Sequence, residues 1–215
     1  MVRTAIEVHF PHHGIVGEEG GRQANDAEYV WVVDPLDGTH NYIRGIPLYG
    51  VSIGVMRKGC HVVGVVYMPE TDCMYAAERG AGAFRNGRRI HVSSTKELAR
   101  CSMSFDSGIR RAPRRTLDAL ARLAPRVFNI RMFGASTVLL TYLAEGRIDF
   151  AVEFDDQPWD FAAGVCMIRE AGGVVTTPTG ETPAMDSCGY IASNGHVHDQ
   201  IAAILAGGDE ERRNR

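Results

Sequence analysis

Two aspartates, Asp34 and Asp37, stand three residues apart at the end of an apolar run. The run, residues 29–33, is rich in β-branched and aromatic residues, which predicts a buried strand. Pro35 and Gly38 predict a tight turn where both carboxylates converge and the backbone can approach a ligand closely. Two close carboxylates repel each other unless a proton or a cation lies between them, and hard divalent cations prefer oxygen ligands. The stretch therefore predicts a site for Mg²⁺, Ca²⁺ or Mn²⁺, although the same residue types also form ordinary surface turns.

A third carboxylate, Asp160, lies in the stretch EFDDQPWDFAAG that covers residues 153–164. It begins a predicted helix over residues 160–171, which the pair Gly172-Gly173 ends. An Asp at this position is an ordinary N-cap for the first backbone N–H groups. The small residues that follow, Ala-Ala-Gly, would also let the helix start approach another backbone closely. On these residues alone, a helix cap and a shared binding site are both open interpretations.

The first half of the chain, residues 1–107, has the pattern of an antiparallel sheet. Beyond the strand that precedes Asp34, β-rich runs separated by turn residues predict further strands, and the Asn86-Gly87 dipeptide predicts a hairpin. These runs cover residues 48–56, 61–68 and 74–78, and one more strand is expected over 100–105. Upstream, we expect a helix over residues 2–10, an extended piece over 14–21 and a polar loop over 22–28.

The second half, residues 108–215, alternates helical and strand patterns, which predicts an α/β arrangement with parallel strand pairs. Helices are expected over residues 114–123, 136–144, 160–171 and 198–205. Strands are expected over residues 127–132, 148–153, 174–176 and 189–192. The polar end of the chain, residues 207–215, is expected to fray.

Composition excludes several classes of protein. The net charge is only -3 and no basic stripe carries interleaved aromatic residues, so a nucleic-acid partner is not expected. No apolar run has the length of a membrane span and no signal-peptide pattern opens the chain, so neither a membrane partner nor secretion is expected. Five scattered cysteines without a C-x-x-C pair predict reduced thiols and a cytoplasmic location. The pairs His12-His13 and His196-x-His198 lack partners at zinc-site spacing and are interpreted as surface histidines.

Three ordered stretches give these residues a common context. Residues 31–41 read W-V-V-D-P-L-D-G-T-H-N, residues 158–164 read P-W-D-F-A-A-G with E-A-G-G shortly after, and Gly17-Glu18-Glu19 lies upstream of both. Together they resemble the signatures of the inositol monophosphatase family, and the resemblance covers nearly all of the chain. It implies an α+β or α/β fold, a layered α-β-α-β-α sandwich of the sugar-phosphatase type. The antiparallel sheet would lie in the N-terminal half and a mixed sheet with helices in the C-terminal half. It also implies a Mg²⁺-dependent phosphatase that forms a homodimer.

The resemblance assigns metal-binding roles to the acidic residues. Glu18 and Asp34, with the carbonyl group of Leu36, would hold one Mg²⁺ ion. Asp34, Asp37 and Asp160 would hold a second, and Glu18 would face a weaker third. Mn²⁺ is a possible substitute. The implied catalytic set is Glu18, Asp34, Asp37, Thr39 and Asp160.

The resemblance also assigns substrate contacts. Gly38 and Thr39 would give backbone N–H groups and a hydroxyl group to the phosphate, and Glu153 would bind a substrate hydroxyl. The turn Gly134, Ala135 and Ser136 would line the sugar or cyclitol site, and Leu36, Asp37 and Asp160 would border the substrate as well. Predicted helix starts at Thr39 and Ser136 would add N–H donors for an anion.

Phosphate monoester hydrolysis fits this residue set. The substrate is a dianion with an alkoxide leaving group, and two cations about 4 Å apart can neutralise it, activate a water and stabilise the leaving oxygen. The first candidate substrate of this small-polyol phosphatase is inositol 1-phosphate, attacked by metal-activated water. Fructose 1,6-bisphosphate and histidinol phosphate are the next candidates. The 3′-phosphonucleotide branch is disfavoured, because its D-G-T generally continues with Lys-Glu-Phe where this chain has His-Asn-Tyr.

Two other phosphate-handling classes are disfavoured by the same motif. Haloacid-dehalogenase phosphatases use D-x-D-G-T with the first Asp as nucleophile, and this chain has Pro35 at that position. The sequence also lacks the G-x-x-x-x-G-K-[ST] loop of P-loop nucleotide enzymes.

One departure from the family pattern concerns the start of the chain. Family members carry a further N-terminal helical segment with V-T-x-x-D, whose Asp pairs with the motif Thr, here Thr39. Glu7 does not match that position. A misassigned start, a fragment and a genuine loss are the open explanations. We expect the chain as written to bind metal but to turn over slowly and unfold easily. A non-catalytic regulator of the same fold is the alternative hypothesis.

Overall fold

The computed structural model describes residues 2–19, 21–23, 27–105 and 108–213, with side chains described for all of these except 21–23 and 208–213. Helices and two β-sheets alternate as layers in this part of the chain. The predicted layered sandwich, with a largely antiparallel sheet first and a mixed sheet second, is confirmed.

The first sheet contains strands β1 to β8. Their bounds are β1 Gly14–Gly17, β2 Gly21–Gln23, β3 Tyr29–Asp37, β4 Gly50–Arg57, β5 Cys60–Met68, β6 Cys73–Glu78, β7 Gly82–Arg85 and β8 Arg88–Ile90. They lie in the order β2-β1-β3-β4-β5-β6-β7-β8. All neighbours are antiparallel except β1 and β3, which are parallel. The predicted hairpin at Asn86-Gly87 joins β7 and β8, and both turn residues have positive φ angles.

The polar loop predicted over residues 22–28 is wrong at its start. Gly21–Gln23 forms strand β2 and pairs antiparallel with β1, whereas residues 24–26 lie outside the described part of the chain. Gly20, within the extended piece predicted over residues 14–21, also lies outside it. The sequence Gly-Arg-Gln has no alternating apolar pattern, so only the backbone pairing with β1 reveals this short strand.

The second sheet contains five strands in the order β10-β9-β11-β13-β12. Their bounds are β9 Ser102–Phe105, β10 Asn129–Arg131, β11 Phe150–Glu153, β12 Val174–Thr176 and β13 Tyr190–Ser193. Strand β9 pairs parallel with β10 and β11, and β13 pairs antiparallel with β11 and β12. Strand β9 joins this sheet although it precedes the predicted boundary after residue 107. Residues 106–107 lie outside the described part, and the division into two halves stays a prediction.

Six α-helices occur in the described residues. Their bounds are α1 Val2–His9, α2 Thr39–Ile43, α3 Pro113–Leu123, α4 Ser136–Ala144, α5 Pro158–Glu170 and α6 His198–Arg213. Single 3₁₀ turns cover Pro69–Thr71, Leu98–Arg100 and Ala124–Arg126. Buried residues of α4 and α5 join both sheets in one core, while α3 and α6 pack together on the other face of the second sheet. None of the helices described is both long and apolar enough to cross a bilayer.

The predicted end of the last helix is too early. Helix α6 continues to Arg213 instead of ending at residue 205, so the expected fraying of residues 207–215 is wrong as far as Arg213, and residues 214–215 lie outside the described part. The Glu and Arg residues at positions 210–213 have high helix propensity, which offsets the low propensity of the residues at 207–209.

Helix α5 approaches the first sheet at backbone distance. A Cβ atom on Gly64 of β5 would lie 2.2 Å from the Ala163 carbonyl oxygen, and one on Gly54 of β4 would lie 2.8 Å from the Ala162 Cβ atom. Real Cβ contacts are not this short, so both strands need glycine where the helix crosses them. The small residues after Asp160 therefore let α5 rest on the sheet, and this contact places the start of the helix beside the end of β3.

Candidate active site

The end of β3 contains an irregularity that changes which way Asp37 points. Strands β3 and β4 pair regularly as far as Asp34 and Ser52, and the next pair is Asp37 with Gly50. Three steps along β3 therefore match two steps along β4. Residues three apart in a regular strand point to opposite faces, so the extra residue allows the two aspartates to share one face. Pro35 lacks an N–H group and is tolerated at this interruption.

The turn after β3 is pressed against the start of α4. Gly38 has a φ of 82°, and a Cβ atom there would lie 2.8 Å from the Leu48 carbonyl oxygen and 2.9 Å from the Ala135 Cβ atom. Asn41 reinforces this contact, because its amide nitrogen donates to the carbonyl oxygens of Leu48 and Phe133, each at 2.7 Å. The sequence motif contains Asn41, but its tethering role follows only from the structure.

Three carboxylates from two distant segments of the chain converge. Asp34, Asp37 and Asp160 each offer one carboxylate oxygen, and these oxygens lie within 4.8 Å of one another. Asp34 and Asp37 are buried and Asp160 is half-buried. The structure thus brings together three of the four acidic residues that the motifs single out, and we call them the acidic triad.

The acidic triad is electrostatically strained. Burial, together with the charges of Asp37 and Glu18, raises the pKa of Asp34 to about 7, although hydrogen bonds with the Leu36 N–H group and with Asp160 oppose the rise. Burial, followed by the charge of Asp156, raises the pKa of Asp160 to about 9. Burial also raises the pKa of Asp37. Without a cation, the triad therefore retains protons near neutral pH, and a divalent cation would relieve the same repulsion.

Asp37 is held by the first turn of α4. The backbone N–H group and the hydroxyl group of Thr137 both donate to Oδ2 of Asp37, each at 2.6 Å. These bonds oppose the effect of burial on the pKa of Asp37. Gly50 makes room for Thr137, because a Cβ atom there would lie 3.1 Å from the threonine Oγ1 atom. Sequence reasoning missed Thr137, for which the available signal was a hydroxyl residue at a predicted helix start.

Asp160 has both of the roles that the sequence left open. Gln157 is the N-cap of α5, and Asp160 is the third helical residue, whose Oδ2 atom accepts the backbone N–H group of Gln157 at 2.7 Å. The expectation that Asp160 itself is the N-cap is thus corrected to a capping box. The cap orients the carboxylate that also belongs to the acidic triad.

Three further candidates, Glu18, Leu36 and Thr39, lie outside the acidic triad. Glu18 is exposed in the turn after β1 and lies near enough to raise the pKa of Asp34, but it is outside the group within 4.8 Å. The hydroxyl group of Thr39 donates to the carbonyl oxygen of Leu36 at 3.0 Å, and the Leu36 N–H group donates to Asp34 at 2.9 Å. Hydrogen bonds between the turn's own side chains and its backbone therefore fix its shape.

The substrate-side candidates lie at the start of α4 and at the end of β11. Gly134 has a φ of 67°, and Ala135 and Ser136 are buried where α4 begins. Glu153 is buried at the end of β11, in register with Tyr190 of β13. The hydroxyl group of Ser136 donates to Asp156, an acidic residue to which sequence reasoning gave no role.

A buried acidic triad on a layered sandwich of two sheets defines a class of sugar-phosphatase-like enzymes, and comparisons with known proteins support that class. A model of the inositol monophosphatase family matches residues 1–209. A protein of Aquifex aeolicus named fructose-1,6-bisphosphatase/inositol-1-monophosphatase is 37% identical over 207 residues, which cover 94% of this chain and 76% of the relative. A putative Nus factor SuhB of Neisseria meningitidis serogroup B is 38% identical over 205 residues, covering 94% of this chain and 78% of the relative.

The fold comparison agrees with the sequence comparison. The structure of an inositol monophosphatase from Anabaena sp. PCC 7120 has a TM-score of 0.91 and 36% identity to this chain, covering 96% of this chain and 83% of the other. The chain belongs to the inositol monophosphatase family. It is accordingly a phosphoric monoester hydrolase.

Ionisation of Asp160 should destabilise the metal-free protein. Its pKa of about 9 in the folded chain exceeds its ordinary value of 3.8, so the unfolded chain loses this proton first as the pH rises. The contribution of Asp160 to the free energy of unfolding should therefore be largest below about pH 4. It should decrease as the pH rises from about 4 to about 9. Asp160→Asn removes that titration, so its melting temperature should exceed that of the wild type by about 5 °C or more at about pH 9, and by less at about pH 5.

Thermal melts in a chelating buffer at both pH values measure this difference. Glu97→Gln is the matched control, because Glu97 is exposed and pairs only at 3.9 Å with Arg100. Its melting temperature should stay close to that of the wild type at both pH values. An advantage of Asp160→Asn that does not grow with pH would contradict the assignment.

Proposed function

We propose that the protein is a divalent-metal-dependent phosphatase that hydrolyses a small polyol monophosphate, with inositol 1-phosphate as the first candidate. The observation that carries this proposal is the convergence of Asp34, Asp37 and Asp160 within 4.8 Å, although Asp160 lies more than a hundred positions along the chain from the other two. Neutral residues would be expected at such a buried point unless the charges had a ligand to bind.

The residues present fit a divalent cation. Carboxylate oxygens are the donors that Mg²⁺ and Mn²⁺ prefer, and the raised pKa values of the triad show how little the protein itself compensates these charges. Ser52, in register with Asp34, is buried, and its hydroxyl group has no hydrogen-bond partner among the described residues, so it is a further polar atom beside Asp34 that a ligand could use. We assign two or three Mg²⁺ ions to the triad, with Glu18 and the Leu36 carbonyl group as additional donors.

When bound, such ions would neutralise the phosphoryl oxygens, lower the pKa of a water molecule and stabilise the leaving oxygen. The chain's own residues orient the substrate. The backbone N–H groups of Gly38, Ser136 and Thr137 donate to Asp37, so we assign the N–H and hydroxyl groups of Thr39 to the phosphate. Thr137 fixes the orientation of the Asp37 carboxylate through two hydrogen bonds. The carboxylate would therefore need little rearrangement when a cation binds.

The substrate side of the site favours a polyhydroxylated leaving group. We assign Glu153, buried at the end of β11, and the turn formed by Gly134, Ala135 and Ser136, which leads into α4, to the leaving-group side of the site. A carboxylate is a good acceptor for hydroxyl protons. The names of the Aquifex relative and the Anabaena structure include inositol monophosphatase, which supports inositol 1-phosphate. The name of the Aquifex relative also supports fructose 1,6-bisphosphate, and histidinol phosphate is a further alternative.

Assembly and location are proposals of the same kind. We infer a homodimer from the family membership and a cytoplasmic location from five cysteines that form no disulfide. A second candidate function, a non-catalytic regulator, is favoured by the relative named putative Nus factor SuhB. A regulator has no need of an intact acidic triad, so phosphate release from a substrate panel separates the two functions.

Asp37→Asn should abolish Mg²⁺-dependent phosphate release, because it replaces a charged ligand in the triad by a neutral one of the same shape. We expect kcat to fall by about 10³-fold or more, with the fold unchanged. Phosphate release from inositol 1-phosphate at saturating Mg²⁺ measures kcat, and circular dichroism checks the fold. Wild-type protein that releases phosphate equally well in excess chelator would contradict the metal-dependent mechanism.

Glu153→Ala should distinguish polyol substrates from simple ones. Loss of the hydroxyl acceptor should raise KM for inositol 1-phosphate by about 10-fold, equivalent to one hydrogen bond to a charged group. An aryl phosphate has no hydroxyl group to offer, so its KM should change little. Equal losses for inositol 1-phosphate and 4-nitrophenyl phosphate would show that Glu153 supports the end of β11 and does not contact the substrate.

A further inference from the structure

Asn41 joins three segments of the chain that meet beside the acidic triad. It lies in helix α2, directly after the turn that follows β3, and it is half-buried. Its amide nitrogen donates to the carbonyl oxygen of Leu48, two residues before β4 begins, and to that of Phe133, three residues before α4 begins, each at 2.7 Å. Both hydrogens of the amide group are therefore used to bridge backbone that is 7 and 92 positions away.

The position of Asn41 itself is fixed. Its carbonyl oxygen accepts the N–H groups of Arg44 at 3.1 Å and of Ile46 at 2.9 Å, which closes the turn after α2. Its amide group also lies over Gly134, where a Cβ atom would be 3.4 Å from both Nδ2 and Oδ1 of Asn41. A side chain that is anchored in this way and donates two hydrogen bonds fixes the separation of the segments that it joins.

Two of these segments position Asp37. Thr137, in the first turn of α4, donates its N–H and hydroxyl groups to Oδ2 of Asp37. Gly50, the first residue of β4, is in register with Asp37, and a Cβ atom there would lie 3.1 Å from the Oγ1 atom of Thr137. The Asp37 carboxylate therefore lies where the starts of β4 and α4 meet, and Asn41 holds both of these starts by their backbone.

We propose that Asn41 is a positioning residue for cation binding, which keeps the Asp37 carboxylate in the orientation that a divalent cation requires. This inference rests on the metal-dependent function proposed above. A carboxylate that is already in place loses little conformational freedom when a cation binds, whereas a loosely held one must be ordered first. Hydrogen bonds of one amide group correspond to roughly a tenfold change in an equilibrium constant, which sets the scale of the expected effect.

Asn41→Ala tests this role, because it removes both hydrogen bonds and adds no charge. In a calorimetric titration of the metal-free protein, Mn²⁺ should bind about tenfold more weakly than to the wild type. In a phosphate-release assay, the Mn²⁺ concentration that gives half-maximal kcat should rise by a similar factor, and saturating Mn²⁺ should restore most of kcat. A residue that only stabilised the fold would lower the melting temperature and leave the Mn²⁺ affinity of the folded protein unchanged.

Asn41→Ser is the second variant, in case Asn41→Ala does not fold. The serine hydroxyl group has one hydrogen and a shorter reach, so it cannot bridge the carbonyl groups of Leu48 and Phe133 together. Mn²⁺ should bind this variant more weakly than the wild type as well. Wild-type affinity for Mn²⁺ in either folded variant would overturn the positioning role.

Asn86→Ala is the matched control. The amide nitrogen of Asn86 donates to the Asp72 carbonyl oxygen at 3.2 Å, and its Oδ1 atom accepts the N–H group of Met74 at 2.7 Å. This asparagine therefore also ties two backbone groups together, but at the hairpin between β7 and β8, which the site does not use. The control should lose thermal stability, because Asn86 has a positive φ of 45° that alanine adopts poorly, and its Mn²⁺ affinity should equal that of the wild type.

A double-mutant cycle identifies the route through which Asn41 acts. Thr137→Val removes the hydroxyl donor to Asp37 and keeps the shape of the side chain. If Asn41 acts through the start of α4, Asn41→Ala should weaken Mn²⁺ binding less in the Thr137→Val background than in the wild type. Full additivity of the two single effects would overturn the proposed route.

These readouts separate the inference from the proposed function. Wild-type protein that binds Mn²⁺ but hydrolyses no phosphate monoester overturns the proposed function, while the Mn²⁺ affinity of Asn41→Ala still tests the positioning role. Wild-type protein that is active, together with an unchanged Mn²⁺ affinity in Asn41→Ala, overturns the positioning role and leaves the phosphatase in place. Wild-type protein that binds no Mn²⁺ overturns both.

Discussion

Mutual repulsion between buried carboxylates is the constraint on which the site depends. Asp34, Asp37 and Asp160 lie within 4.8 Å of one another in a place that water reaches poorly, and burial raises the pKa of each. A fold that only needed stability would place neutral side chains there. The arrangement persists because backbone and hydroxyl donors from the start of α4 and the cap of α5 hold the individual oxygens.

The packing of α5 on the first sheet makes this convergence possible. Gly54 and Gly64 have no side chain to separate the strands from the helix, and Ala162 and Ala163 add little bulk on the other side. The resulting backbone contact brings the start of α5 to the end of β3. The irregular pairing after Asp34 then turns Asp37 toward the same point. The contact between α5 and the first sheet, together with the irregular pairing at the end of β3, therefore brings the three carboxylates of the acidic triad together.

The triad and most elements could be predicted from the sequence because their signals are local. The D-P-L-D-G-T turn, the P-W-D helix start and the Asn86-Gly87 hairpin each place special residues at a fixed spacing. The contacts of Thr137 with Asp37 and of Ser136 with Asp156 join residues 100 and 20 positions apart, and no local pattern announces them. Strand β2 was missed because the sequence of residues 21–23 has no alternating apolar pattern, and its pairing with β1 is visible only in the structure.

Anomalous X-ray scattering from crystals grown with Mn²⁺ shows directly whether the acidic triad binds divalent cations. The account predicts anomalous peaks between the carboxylates of Asp34, Asp37 and Asp160, at metal–oxygen distances of about 2–2.5 Å. It also predicts that the peak bound by Asp37 disappears in Asp37→Asn. Crystals of the wild type with saturating Mn²⁺ and no anomalous peak within reach of these three carboxylates would contradict the account.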